Sequence, residues 1–125
     1  MLLHTSILVV DDHTDTRDAV AALLREAGHK TTLASTGSEA LALFESATDL
    51  EIVIADIVMP GMSGFELAQH VRALRPRTPV LLMTGYADYV DAVVNIGAVP
   101  LLKPFPASTL RRVVQDSLAA ARAFA

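Results

Sequence analysis

Four apolar, strand-like runs in this chain each end on a charged or hydroxyl side chain, and that repeated junction restricts the fold more than any other feature. Ile7-Leu8-Val9-Val10 runs into Asp11-Asp12, and Ile52-Val53-Ile54-Ala55 into Asp56. Val80-Leu81-Leu82-Met83 runs into Thr84, and Pro100-Leu101-Leu102 into Lys103. Short runs without polar alternation suit strands buried on both faces, as in parallel sheets. In open sheets of that kind ligands bind outside the carboxyl ends of the strands. Asp11, Asp12, Asp56, Thr84 and Lys103 are therefore expected to converge at one rim.

The segments between the runs are amphipathic. Thr14–Ala27 reads as a helix with Ala19, Val20, Leu23, Leu24 and Ala27 on one stripe, capped by Gly28. Lys30–Ala34 reads as a further strand, and Ser38–Ser46 as a helix with Leu41 and Phe44 inward and Glu39 in its first turn. A turn-rich loop over Pro60–Gly64 precedes a helix over Phe65–Leu74 that carries Leu67, Val71 and Leu74 and stops before Pro76. Pro79–Met83 is the fourth strand and Asp88–Ile96 a short helix closed by Gly97. Pro100–Leu102 is the fifth strand and Ala107 to about Ala123 the last helix. Five β–α units with helical connections imply an α/β fold, a parallel sheet covered on both faces by right-handed crossovers. Periodicity alone does not give the strand order.

The units fill residues 1–125 as a single domain, with no internal linker or repeat. Ten Lys and Arg against fourteen Asp and Glu give a net charge of −4, which argues against a nucleic-acid surface. Arg111, Arg112 and Arg122 accordingly read as the exposed side of the last helix. No apolar run approaches the roughly 18 residues needed to span a membrane, so no membrane insertion is expected. Met1–Ser6 lacks the basic and apolar regions of a signal peptide, and the expected location is cytoplasmic. The absence of cysteine excludes disulfides, thiolate metal sites and cysteine nucleophiles. His4, His29 and His70 read as solvated surface residues. His13 adjoins the acidic pair, but with no other imidazole nearby in sequence a metal role is not expected.

Electrostatics make the strand-end group unusual. Two carboxylates ~5 Å apart repel by ~3 kcal/mol at an effective dielectric of about 20, so three mutual pairs oppose folding by on the order of 10 kcal/mol. One lysine offsets part of this. The cluster needs a divalent cation or protonation. With oxygen ligands only, Mg²⁺ is the natural ion, and it also accepts phosphate oxygens. A carboxylate can itself be a nucleophile and form an aspartyl phosphate, with the cation and Lys103 neutralising the transferring group and the Thr84 hydroxyl binding one of its oxygens. A lone Asp at a strand end is commonly a cap or turn former, but that does not account for all five residues together.

Ile7–Asp12 (ILVVDD), Asp56–Gly64 (DIVMPGMSG), Met83-Thr84-Gly85 and Lys103-Pro104-Phe105 together resemble the receiver domain of two-component response regulators along nearly the whole chain. The resemblance implies a flavodoxin-like (βα)5 doubly wound parallel sheet of strand order 2-1-3-4-5. It implies Asp56 as phosphoacceptor, Asp12, Asp56 and the Val58 carbonyl as direct Mg²⁺ ligands, and Asp11 acting through bound water. It further implies Thr84 and Lys103 on the phosphoryl oxygens, Gly85 leaving the approach open, and a cis Lys103-Pro104 bond. The implied partners are a histidine kinase or histidine phosphotransfer protein, docking near His13 and Arg17, and a downstream protein target reached by protein–protein contact. The domain is then a signalling phosphoacceptor with only intrinsic phosphotransfer and self-dephosphorylation.

Rival classes lack their signatures. The Asp11-Asp12-His13-Thr14 junction is neither a flavin phosphate loop nor G-x-G-x-x-G nor D-x-D. A non-phosphorylated interaction module of the same fold fits the complete acidic site poorly. The chain reads as a stand-alone receiver if its ends are natural, or as one excised from a hybrid kinase or transcription factor. Two departures from the family pattern stand out. Pro100 occupies the usual place of a switching Tyr or Phe, and the segment from Thr84 to Lys103 is short. Tyr86 and Tyr89 are the nearby aromatic substitutes. Signalling is therefore expected mainly through the fourth helix. Bulky Val58 and Tyr86, flanking the water path, imply slow self-dephosphorylation.

Overall fold

The computed structural model describes residues 5–123. The elements are β1 (Ser6–Val10), α1 (Thr14–Glu26), β2 (Lys30–Ala34), α2 (Gly37–Ser46), β3 (Leu50–Asp56), α3 (Gly64–Leu74), β4 (Val80–Thr84), a 3₁₀ turn (Ala87–Tyr89), α4 (Val90–Asn95), β5 (Val99–Leu102) and α5 (Ala107–Ala123). All sheet pairings are parallel and the strand order is 2-1-3-4-5, the flavodoxin-like arrangement.

The inner strands β1, β3 and β4 are mostly apolar on both sides because each side meets a helical layer. Leu8, Val10, Val53, Ala55 and Leu82 pack with Ala40 and Phe44 of α2, Leu67 and Val71 of α3, and Val93 of α4. Their alternate neighbours Ile7, Val9, Ile52, Ile54, Leu81 and Met83 pack with Val20 and Leu24 of α1 and Leu110, Val114 and Leu118 of α5. The period of two along a strand divides the chain's apolar residues between two cores. Each buried Leu, Ile or Val contributes about 1.5–3 kcal/mol relative to exposure.

Local signals set the helix starts. Thr36 Oγ1 accepts from Glu39 N at 3.1 Å, and Ser63 and Glu66 form a reciprocal capping box. At Gly64 the helix start passes so close beneath β3 that an added Cβ would lie 2.4 Å from the Asp56 carbonyl oxygen. Gly97, at φ 80°, closes α4, and its carbonyl accepts from Arg72 Nη1 at 3.2 Å.

Several sequence expectations need correction. Ala19 faces solvent and Ala21 takes its place in the core, because the buried stripe is centred on Val20 and Leu24. Leu74, the last residue of α3, is 51% exposed rather than inward. His29 is buried rather than solvated, and its Nδ1 accepts from Thr5 N at 3.3 Å. Arg122 does not simply line an exposed face: its Nη2 lies 2.8 Å from Glu51 Oε2 on β3. His70, Arg111 and Arg112 are exposed. His4 and the first residues of the Met1–Ser6 reading lie outside the described residues. The fourth helix is short, with one α turn and a half after the 3₁₀ turn, and Val93 is its buried residue. Pro100 lies on the edge strand β5, where a missing backbone donor is best tolerated.

Candidate functional site

The carboxyl ends of β1, β3, β4 and β5 form one rim, and backbone bonds hold each polar residue there. Asp11 N donates to Ala34 O at 3.2 Å, Ile57 N to Met83 O at 3.1 Å, and Lys103 N to Thr84 O at 2.7 Å. Asp56 and Thr84 are the last residues of their strands, while Asp11 and Lys103 lie just beyond theirs. The Lys103-Pro104 peptide is cis.

The side chains converge as the sequence implies. Lys103 Nζ donates to Asp56 Oδ1 at 2.8 Å and lies 3.8 Å from Asp11 Oδ2. One ligand atom from each of Asp11, Asp12, His13 and Asp56 falls within 4.8 Å of the others. Asp11, Asp56 and Thr84 are buried, whereas the Asp12 side chain is 29% exposed. The group borders a cavity of about 220 Å³ lined by His13, Asp56, Val58, Met83, Thr84, Gly85, Tyr86 and Lys103. An added Cβ at Gly85 would meet nothing within 4 Å, so the mouth is open on that side. A larger hollow of about 620 Å³ between Arg72, Val99, Val113 and Ala120 lies at the amino ends of β4 and β5, away from this rim, and lacks its convergence of acids.

Burial pushes the Asp56 carboxyl above its ordinary range. The hydrogen bond and charge of Lys103 oppose that rise, and the charges of Asp11 and Asp12 add to it. Asp11 Oδ2 is buried without a hydrogen-bond partner. A buried carboxylate oxygen with no hydrogen bond, in a group of acids whose ligand atoms lie within 4.8 Å of one another, suits a cation or its bound water, so the residues fit a hard divalent ion. The Thr84 hydroxyl accepts from Tyr86 N at 3.0 Å and retains its own proton for donation.

Two features go beyond the sequence reading. His13, noted beside the acidic pair but given no metal role, places Nδ1 3.4 Å from both Asp11 Oδ1 and Asp12 Oδ1. Tyr86 stacks edge-on to Tyr89 at 5.7 Å, and Tyr89 on Phe65 at 6.0 Å, linking the cavity wall to the starts of α3 and α4. Nothing local in the sequence brings Phe65 to that chain of rings.

The family model for the response regulator receiver domain matches residues 7–115. The sensory transduction protein RegX3 of Mycobacterium tuberculosis is 38% identical over 92 residues, 74% of this chain and 40% of that protein. The chain thus spans less than half the length of this relative. A response regulator receiver domain protein from Clostridium thermocellum superposes with a TM-score of 0.92 at 26% identity, covering 97% of this chain and 99% of the other. TrrA of Thermotoga maritima, a response regulator solved in complex with Mg²⁺ and BeF, superposes with a TM-score of 0.84 at 33% identity, covering 90% and 98%.

Proposed function

Because the chain belongs to the response regulator receiver domain family, we propose that it is a Mg²⁺-dependent phosphoacceptor of a two-component relay, phosphorylated on Asp56. The observation that carries this reading is the pairing of buried Asp56 with Lys103 at 2.8 Å inside a group of acids at the strand ends.

The donor is a phosphohistidine of a histidine kinase or histidine phosphotransfer protein. A carboxylate oxygen of Asp56 attacks phosphorus in line, an acyl-phosphate O–P bond forms, and the N–P bond to the donor imidazole breaks. Lys103 favours the ionised, nucleophilic form of Asp56 and then neutralises charge on the phosphoryl oxygens. Thr84 donates its hydroxyl proton to one of those oxygens. Asp11, Asp12, Asp56 and the Val58 carbonyl would hold Mg²⁺, which supplies the positive charge that three carboxylates and a phosphoryl group require. Asp11, with its unpaired Oδ2, would act through a bound water.

Turnover is limited to this phosphotransfer and the later hydrolysis of the acyl phosphate. Output passes to a downstream protein by contact, and the chain's net charge of −4 supports a protein rather than a nucleic-acid surface on this domain. No helix among the described residues is long and apolar enough to cross a membrane. A cytoplasmic location follows from the proposed relay, whether residues 1–125 stand alone as one receiver or belong to a longer protein.

Incubation with a phosphorylated histidine kinase or a small phosphoramidate, in Mg²⁺, should label wild type and not Asp56→Asn. Equal labelling of the variant would reject the assignment. Absence of labelling in wild type would favour a non-phosphorylated interaction module.

A further inference from the structure

The imidazole beside the acid pair has no part in the chemistry above. His13 is the N-cap of α1, yet its side chain makes no capping bond. Its backbone N–H instead donates to Asp11 Oδ1 at 2.9 Å, tying the residue to the buried acid. Nδ1 lies 3.4 Å from Asp11 Oδ1 and 3.4 Å from Asp12 Oδ1.

That spacing is informative. A charge-assisted N–H···O bond measures about 2.7–2.9 Å. Two donors on adjacent vertices of a six-coordinate cation with bonds of ~2.1 Å lie about 3 Å apart. At 3.4 Å from Asp12 Oδ1, a direct ligand in the reading above, Nδ1 makes no strong hydrogen bond and stays available to a shared ion, and it falls within 4.8 Å of the ligand atoms of Asp11, Asp12 and Asp56. Independently, the fully buried Asp11 carboxylate keeps Oδ2 without a hydrogen-bond partner, 3.8 Å from Lys103 Nζ.

We propose that His13 is a nitrogen donor of this cation site and shifts its preference from Mg²⁺ toward divalent transition ions such as Mn²⁺. The inference rests on the reading of Asp11, Asp12 and Asp56 as the metal-holding group. Mg²⁺ is a hard ion that favours oxygen and keeps its waters, whereas imidazole suits transition ions. An all-oxygen site gains little by a neighbouring imidazole; a mixed site gains selectivity. The His13 side chain is 70% exposed, so its replacement should leave the fold intact.

The test uses the whole chain with Mn²⁺ alone and then with Mg²⁺ as competitor. Pulsed EPR of the Mn²⁺-loaded protein should show nitrogen modulation from a coordinated imidazole, and His13→Phe should abolish it. By calorimetry the variant should bind Mn²⁺ about tenfold more weakly, since even outer-shell partners contribute that much. Its Mg²⁺ affinity should stay within about twofold. Mn²⁺ that competes with Mg²⁺ but shows no nitrogen modulation, or an equal loss for both ions in His13→Phe, would overturn the role of His13 alone. If wild type binds neither ion, or Asp12→Asn leaves both affinities unchanged, the acid-cluster reading falls as well.

Discussion

Lys103 Nζ sits 2.8 Å from Asp56 Oδ1 and 3.8 Å from Asp11 Oδ2, so one ammonium serves two acids from neighbouring strands. Removing it leaves the three carboxylates without their basic partner and the phosphoryl group without a fixed donor. Lys103→Met should slow phosphorylation by roughly 10²-fold, the usual loss for one preorganised donor at a developing charge. A time course of labelling with a phosphoramidate in saturating Mg²⁺ measures it. An unchanged rate would remove Lys103 from the chemistry.

The raised Asp56 carboxyl has a signed consequence for stability. Burial is the leading cause, so the folded state holds the Asp56 proton more tightly than the unfolded chain does. Without a divalent ion, this group's contribution is favourable at pH below the unfolded carboxylate range and is lost as pH rises through the folded value. Asp56→Asn should therefore raise Tm by a few degrees at neutral pH in chelator. The gain should shrink as pH falls toward about 4. A variant that melts below wild type at neutral pH would contradict this sign.

Gly64 and Gly85 should respond oppositely to alanine. A Cβ at Gly64 would lie 2.4 Å from Asp56 O and 2.8 Å from Ile57 Cα, both backbone atoms. Relieving that overlap requires β3 and α3 to separate, which typically destabilises by about 1–3 kcal/mol. The same shift should weaken Mg²⁺ binding, since Asp56 rides on the displaced backbone. Gly85→Ala meets open space and should stay within about 0.5 kcal/mol of wild type. Urea denaturation and Mg²⁺ titration of both variants measure the contrast.

Activation should travel through the start of α4. Thr84 accepts from Tyr86 N, and the rings run Tyr86, Tyr89, Phe65. A Thr84 hydroxyl drawn toward a phosphoryl oxygen pulls on that loop, while Pro100 can neither swing nor donate a backbone bond. Beryllofluoride with Mg²⁺ should shift NMR signals across Ala87–Asn95, and Tyr89→Ala should shrink those shifts. Perturbation confined to the metal site and α1 would sink the idea.

Val58 and Tyr86 both line the cavity mouth, and neither is suited to orient an attacking water at the phosphoryl group. The aspartyl phosphate should persist for minutes or longer in Mg²⁺, and Val58→Asn should shorten its life several-fold by supplying a polar group. Loss of label within seconds from wild type would count against this.

Much of this was legible in order along the chain. The apolar runs marked the strands because a strand covered on both faces carries no polar alternation, and their polar successors marked the rim. Glu39 marked a helix start by its place in the first turn, whereas the caps Thr36 and Ser63 were identified only from the structure. What stayed hidden depended on residues far apart in sequence. His29 looked solvent-exposed until Thr5 supplied a backbone donor, and Arg122 looked like one more surface cation until Glu51 came within reach. Leu74 matched the helical stripe but is exposed at the last position of α3, and periodicity does not say how far along a helix the covering layer extends.

The sequence by itself determined the alternation of strand and helix, the five polar residues at strand ends and an acid cluster that calls for a divalent cation or protonation. Those are local patterns and charges, and they survive without coordinates. Only the tertiary structure decided which groups touch. It gave Lys103 to both Asp56 and Asp11, left Asp11 Oδ2 without a hydrogen bond, and set His13 over two acids. Such contacts depend on strand order and register, which bring side chains separated by tens of residues within a few ångströms, and no local pattern carries that information.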